Sequence, residues 1–273
     1  MRFGRLACFA YLLAFFTYLF APLAVMGLTA FNTASFPSAW PIEGWTLDWF
    51  AALARDGEML YGLRNSLWIG LLVVLVSVPT GLAGALMMQH IAPSLRGVYY
   101  VLAVAPVLIP GVIIGIATVI FWREATLNAG LRFLYNGTLL TVMGQSSFIA
   151  SYCMLIFIAR LHRFDRTLEE AAADLGAGKT TIFFHITLPF LRPAILSAAV
   201  LAFLSSFENY NTTTFAILAD KTLTTVLAGQ VRQGTTPSVS ALAVLIIGVT
   251  TAAFLLVEFW RGGDWRRRRA ALA

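Results

Sequence analysis

The chain has 273 residues, of which 59% are hydrophobic and only 12% charged. Its mean hydropathy of +0.80 leaves too little polar surface for a soluble monomer of this length. That weighs against a soluble enzyme, a disordered chain and a nucleic-acid binder. The net charge of +6, from 19 basic and 13 acidic residues, becomes a question of which side of a membrane the charges occupy.

A membrane crossing needs about 20 mainly apolar residues. Six stretches qualify, at 6–30, 67–88, 98–122, 139–158, 193–213 and 241–260. Most are apolar all round rather than striped, as lipid-embedded helices are. The first is read as a retained helix rather than a cleaved signal. Its apolar run is long, and Leu6-Ala7-Cys8 precedes the run where a lipoprotein site would follow it. Between the first two stretches, the outer loop 31–66 carries Trp40, Trp45 and Trp49 beside Pro37 and Pro41, a set that reads as interfacial anchoring.

With the N-terminus placed inside, Arg2, Arg5, Arg96, Arg160, Arg163, Arg166, Lys179, Arg192, Arg261 and Arg266 to Arg269 fall on the inner side. Arg55, Arg64, Arg123, Arg132, Lys221 and Arg232 fall outside. The bias of thirteen to six predicts cytoplasmic termini and an even number of crossings. The terminal arginine run is read as the flank of the last span, and Glu258 as snorkelling to the inner interface. The expected fold is therefore an all-α integral membrane protein, one domain over residues 1–273 with six transmembrane helices.

Cys8 and Cys153 sit in apolar runs and read as small buried hydrophobes. The three histidines have no ligand spacing. No metal site and no catalytic residue is expected, because no acid–base pair or nucleophile triad occupies an accessible loop.

The longest inner segment, the loop 159–192, has its own pattern. Thr167 followed by Glu170 reads as a capping box. Leu168, Ala171, Ala172 and Leu175 form one apolar stripe at helical spacing, and Gly176 and Gly178 then turn the chain. A second short helix is expected, capped by Thr180 or Thr181, with Ile182, Phe183 and Ile186 as its apolar face and Pro189 as its end. Two short amphipathic helices joined by a glycine turn make a docking knob for a soluble partner.

Glu170-Ala171-Ala172, then Gly176, Ile186 and Leu188-Pro189 at their offsets, resemble the EAA signature of permease subunits of type I ABC importers. The resemblance extends over essentially the whole chain. It implies that this loop couples to an ATPase subunit. The partners it implies are a second and different permease, two ATPases carrying ATP and Mg, an extracytoplasmic solute-binding protein and the bilayer of the bacterial inner membrane, with no nucleic acid and no cofactor in this chain. Gly176-Ala-Gly-Lys179-Thr180 imitates a phosphate loop. Ala173 stands where the first glycine of that pattern belongs, so hydrolysis is expected on the partner.

Glu208, in the fifth stretch, is followed by Asn209, Tyr210 and Asn211. Ionisable residues in spans are costly and tend to face a cavity. A carboxylate with amides and an aromatic ring suits a protonated amine; equally, Glu208 can pair with another subunit's arginine or cap a broken helix. The segments Leu201–Glu208, Leu223–Val226 and Thr236–Leu242 resemble the second permease of the spermidine/putrescine group. Members of that group carry a paired acid where this chain has Glu208-Asn209, which leaves room for a monocation or zwitterion. Related permeases for iron, thiamine, aminophosphonate or inorganic anions share the architecture. A stand-alone secondary transporter is the rival class, and the partner-docking loop argues against it. Pro106, Pro110, Gly111 and Gly115 in the third stretch are open to kinks or close packing.

Overall fold

Long runs of Leu, Ala, Val and Phe leave no polar side chain to compete with the backbone, so helix is the only local way to satisfy each N–H and C=O away from water. The computed structural model describes residues 2–130, 132–234 and 236–270, with the side chains of 2–6, 129, 253, 254 and 256–270 outside the description. In chain order the helices are α1 (Arg2–Phe31), α2 (Asp48–Arg55), α3 (Gly57–His90), α4 (Pro93–Leu108), α5 (Gly111–Ala129), α6 (Gly137–Leu161), α7 (Thr167–Asp174), α8 (Lys179–Ile182), α9 (Leu188–Phe207), α10 (Thr213–Ala216), α11 (Leu223–Gln233) and α12 (Pro237–Ala270). A 3-10 turn (Arg132–Leu134) precedes α6, and a π-turn (Phe183–Thr187) joins α8 to α9.

Five segments among the described residues are long and apolar enough to cross a membrane: Ala7–Phe31, Gly57–His90, Gly111–Asn128, Gly137–Leu161 and Lys179–Phe207; shorter apolar helices are Pro93–Leu108 and Pro237–Ala252. The third expected stretch is thus not one helix. Ile109 is extended and Pro110 starts α5, because a proline pushes the residue before it out of the helical region. The expected loop 31–66 is also shorter, since it contains α2 and the first turns of α3. Asp56 Oδ1 accepts from the N–H groups of Glu58 and Met59, both at 3.0 Å, and starts α3 before the apolar run begins.

The chain divides into two compact units, residues 1–59 with 227–273, and residues 60–226. In the first, α1 and α2 pack on α12, and Thr29 Oγ1 donates to Ser240 Oγ at 2.8 Å. Asn32 is buried and organises the loop before α2. Its side chain donates to the carbonyls of Ser38 and Pro41 and accepts from the N–H of Glu43, while the Trp49 indole donates to the Asn32 carbonyl at 2.8 Å. Trp49 is therefore a brace of the loop, whereas Trp40 and Trp45 are exposed. The faces of α1 carrying Phe9, Tyr11, Phe16 and Tyr18 are exposed, as a lipid-facing helix requires. Arg2, Arg5, Glu258, Arg261 and Arg266 to Arg269, on which part of the charge reading rests, have side chains outside the described residues.

In the second unit, Ile69, Val73, Ile149, Cys153, Phe157, Leu191 and Ala198 form one core where α3, α6 and α9 meet. The approach of α3 to α6 depends on Gly81: a Cβ there would stand 2.6 Å from the Cys153 Cβ and 2.7 Å from the Ala150 carbonyl oxygen. Cys153 is buried as expected, and Cys8 is exposed on α1, where an apolar thiol meets an apolar medium at no cost.

Candidate functional site

The loop after α6 starts α7 with Asp165. Its Oδ1 accepts from the N–H of Thr167 at 3.0 Å and from the Thr167 hydroxyl at 2.8 Å. This corrects the capping box expected from Thr167 and Glu170. Asp165 is short and lies just ahead of the first turn, so it reaches a free N–H while Thr167 is already helical. The Thr167 hydroxyl, and then its N–H, hold the Asp165 carboxyl below the usual carboxylate range.

Gly176 ends α7 in the left-handed region, at φ +83°. The Ala177 N–H bonds back to the Ala172 carbonyl at 3.0 Å and the Gly176 N–H to the Ala173 carbonyl at 2.9 Å. That pair of bonds is a Schellman motif, and its central position favours glycine because a Cβ crowds the carbonyl at positive φ. So two positions of the EAA pattern, Ala172 and Gly176, belong to one hydrogen-bonded turn.

Beyond Gly176 the expectations need two corrections. Gly178, not Thr180 or Thr181, occupies the N-cap of α8. Pro189 does not end a helix. The helical run continues from Lys179 to Phe207, and the π-turn before Pro189 carries the Leu188 N–H to the Phe183 carbonyl, five residues back. A proline ring clashes with the carbonyl four residues earlier, and the widened turn accommodates it. The fifth span therefore begins well before residue 193.

Three contacts brace the loop. The Thr187 hydroxyl donates to Glu169 Oε1 at 2.6 Å. The Arg160 guanidinium donates to the Phe190 carbonyl at 3.2 and 3.3 Å and stands 4.1 Å above the Phe190 ring. The Phe164 and Phe190 rings lie 4.9 Å apart. Ile182, Phe183 and Ile186 are half-buried as expected, as are Leu188 and Pro189, but Glu170 and Ala171 are exposed. The α7 stripe faces outward: Leu168 is 53% exposed, Leu175 89% and Phe184, on the following turn, 56%.

The other candidate residues stand at the far end of α9, 20 residues long, or about 30 Å away. The helix stops at Phe207, with Glu208 as its C-cap, so the fifth span ends sooner than residue 213. Glu208 is exposed, and Asn209 has a different task. Its Oδ1 accepts from the N–H groups of Thr212 and Thr213 at 3.1 and 3.3 Å and starts α10. Its carbonyl accepts from the hydroxyls of Thr213 at 2.7 Å and Thr224 at 3.1 Å.

Gln145, buried in α6, fastens this break. It donates from Nε2 to Thr213 Oγ1 at 2.8 Å, and its Oε1 accepts from the Ser206 hydroxyl at 2.5 Å. Glycines make the seat. A Cβ at Gly115 would lie 2.6 Å from the Thr212 carbonyl oxygen, one at Gly111 2.9 Å from Thr212 Oγ1, and one at Gly137 would collide with the Ile217 carbonyl. Close packing is thus what Gly111 and Gly115 provide. Beside the break, Glu208, Asn209, Tyr210 and Asn211 line a cavity of about 260 Å³ together with Phe148, Tyr152 and Ser205.

Residues 77–260, about two thirds of the chain, match the family described as binding-protein-dependent transport system inner membrane component. The chain belongs to this family. It is a permease subunit of a type I ABC importer and a multi-pass membrane protein. It is 31% identical over 241 residues, 87% of this chain and 84% of the relative, to the putrescine transport system permease protein PotI of Escherichia coli (strain K12). It is 28% identical to a spermidine/putrescine transport system permease protein PotC homolog of Mycoplasma pneumoniae, over 88% of this chain and 85% of that one. Its fold is shared with a chain of a bacterial ABC transporter involved in the import of the acidic polysaccharide alginate. The TM-score is 0.71 at 18% identity, covering 94% of both chains.

Sequence reasoning missed Asp165, the brace of Arg160, Phe164 and Phe190, the cavity residues Phe148 and Tyr152, and the bonds of Gln145, Ser206, Glu169 and Thr187. A glutamine inside an otherwise apolar span was the one available signal, because a buried amide needs partners. The Glu169–Thr187 bond has no local signature, since it joins residues 18 apart.

Proposed function

We propose that this permease forms half of the pathway of an ATP-driven importer for a polyamine or a related amine, in the bacterial inner membrane. Its partners in this reading are a second, different permease, two ATPases that bind ATP and Mg, and an extracytoplasmic binding protein. Both termini are cytoplasmic, and six crossings result when α4 and α5 are taken as one crossing interrupted at Pro110. The observation that carries the coupling role is the braced loop whose apolar residues Leu168, Leu175 and Phe184 face away from this chain. Such a surface fits a groove on another subunit. When ATP draws the two ATPases together, the braces deliver the motion of α7 to the start of α9, and the broken far end of α9 changes with it.

The amine reading draws on the putrescine and spermidine relatives and on the cavity that joins the Glu208 carboxylate to Phe148, Tyr152 and Tyr210. A carboxylate among aromatic rings attracts an ammonium group by charge and by the ring quadrupole. Glu208 is the one acid in this lining, so the cavity offers one negative charge and suits one ammonium group at a time.

The test is purification from gentle detergent followed by reconstitution with the proteins that accompany the chain. Co-purification of an ATPase and a second permease, with ATP-dependent putrescine uptake reduced about tenfold or more in Glu208→Gln, supports the reading. Solute flux by this chain alone, without ATP, overturns it.

A further inference from the structure

Where α3 ends, α4 begins and α6 runs into the coupling loop, a cavity of about 270 Å³ opens whose lining has two chemistries. Its floor is apolar, with Ala85, Met88, Ile158, Leu161 and Phe164; its rim carries Gln89, Arg96, His162 and Arg166, and no carboxylate. None of these residues serves the amine cavity, and the side chains of Arg166 and His162 take no part in the bracing of the loop.

The two arginines differ in how they are held. Arg96 donates from Nε to the Ile91 carbonyl at 3.0 Å and from Nη2 to the Gln89 carbonyl at 3.3 Å. It therefore closes the end of α3 and is fixed in place with guanidinium N–H groups to spare. The side chains of Arg166 and His162 have no hydrogen-bond or ion-pair partner among the described residues. Of the acids beside Arg166 in the chain, Asp165 accepts from Thr167 and Glu169 from Thr187, Glu170 is exposed, and none of the three lines the cavity. Two permanent cations around an apolar floor, with no carboxylate in the lining, are complementary to an amphiphile with a negative head. Basic pockets between spans on the cytoplasmic side are suited to anionic lipid headgroups.

We propose that this cavity binds the phosphate headgroup of an anionic phospholipid of the inner leaflet, with Arg96 and Arg166 on the phosphate and the first methylenes of an acyl chain on Met88, Ile158 and Phe164. This rests on the placement of the coupling loop at the inner membrane face. Phe164 and Arg166 lead directly into α7, so an occupied cavity orders the segment from which the loop springs.

The test uses the whole importer purified in mild detergent with phosphatidylglycerol, and native mass spectrometry of the lipid retained. Arg166→Gln lowers phosphatidylglycerol retention about fivefold, the effect of one cation near the surface, and Arg166→Lys restores it. Millimolar inorganic phosphate does not compete, because it lacks the acyl chain. Equal retention in Arg166→Gln, or displacement by inorganic phosphate, overturns the proposal. So does loss of the ATPase from Arg166→Gln with lipid retention unchanged, which would assign the cavity to a protein partner. Lipid retention is scored on the permease itself. An importer that lacks an ATPase altogether therefore refutes the coupling reading, while the retained lipid still decides between an occupied and an empty cavity.

Discussion

The Thr187 hydroxyl donates to Glu169 Oε1 at 2.6 Å, tying the first turn of α7 to the π-turn that enters α9. The bond thereby links the two short helices of the loop to the root of a membrane span. Thr187→Val keeps the shape of the side chain and removes the donor. It is expected to leave insertion and ATPase binding intact and to lower solute-stimulated ATP hydrolysis about fivefold, from the loss of about 1 kcal/mol of bracing. Stimulation equal to wild type in the reconstituted importer would break the proposed link between α7 and α9.

Gly176 holds φ +83° at the end of α7. A Cβ there meets open space, so the cost of substitution is backbone strain alone. Gly176→Asn is expected to be nearly silent, Gly176→Ala to cost about 1–2 kcal/mol, and Gly176→Pro to give an inserted protein that no longer couples. Solute-stimulated ATPase rates should fall in that order, and an alanine variant as active as wild type would refute it.

Gln145 is buried between Ser206 and Thr213. Gln145→Leu removes both bonds and should cost about 1–3 kcal/mol, read as a lowered midpoint of thermal unfolding in detergent. Combined with Ser206→Ala, the loss should be clearly smaller than the sum of the two single effects, since both remove the same bond.

Gly115 faces the Thr212 carbonyl, where a Cβ would stand at 2.6 Å. Gly115→Leu is expected to lower the yield of folded protein, at a cost of about 1–3 kcal/mol or more. Gly27, where a Cβ meets nothing within 4 Å, is the control: Gly27→Ala should leave the yield unchanged or raised. Equal yields from the two variants would argue against the close seat.

Asp165 has its carboxyl held below the ordinary range by Thr167. A carboxylate depressed in the folded state contributes stability above its unfolded pKa, about 3.9, and loses it as pH falls through the lower folded value. The start of α7 should thus be insensitive to pH between 5 and 8. Asp165→Ala should weaken coupling throughout that window, and a wild-type loss of coupling that sets in near pH 6 would point to a different group.

Much of the architecture is legible in the chain. Long, mainly apolar runs mark α1, α3 and α6, and the glycine after Leu175 marks the end of α7, because each is a local consequence of side-chain chemistry. The ends of α9 are not legible, for a physical reason. A proline in a helical pattern reads as a stop, yet the backbone widens into a π-turn just ahead of Pro189 and continues. Asn209 stands next to Glu208 in the chain, yet its side chain turns to the N–H groups of α10.

The sequence by itself determined that the chain is a helical membrane protein with a patterned loop, since hydropathy and helical spacing depend only on neighbours along the chain. The tertiary structure decided what the polar residues do. Gln145, Glu169 and Thr187 find their partners across helices, and the glycines of α5 and α6 matter because another backbone comes to rest on them. Those roles depend on which surfaces meet, and burial then requires each polar group to find its bond.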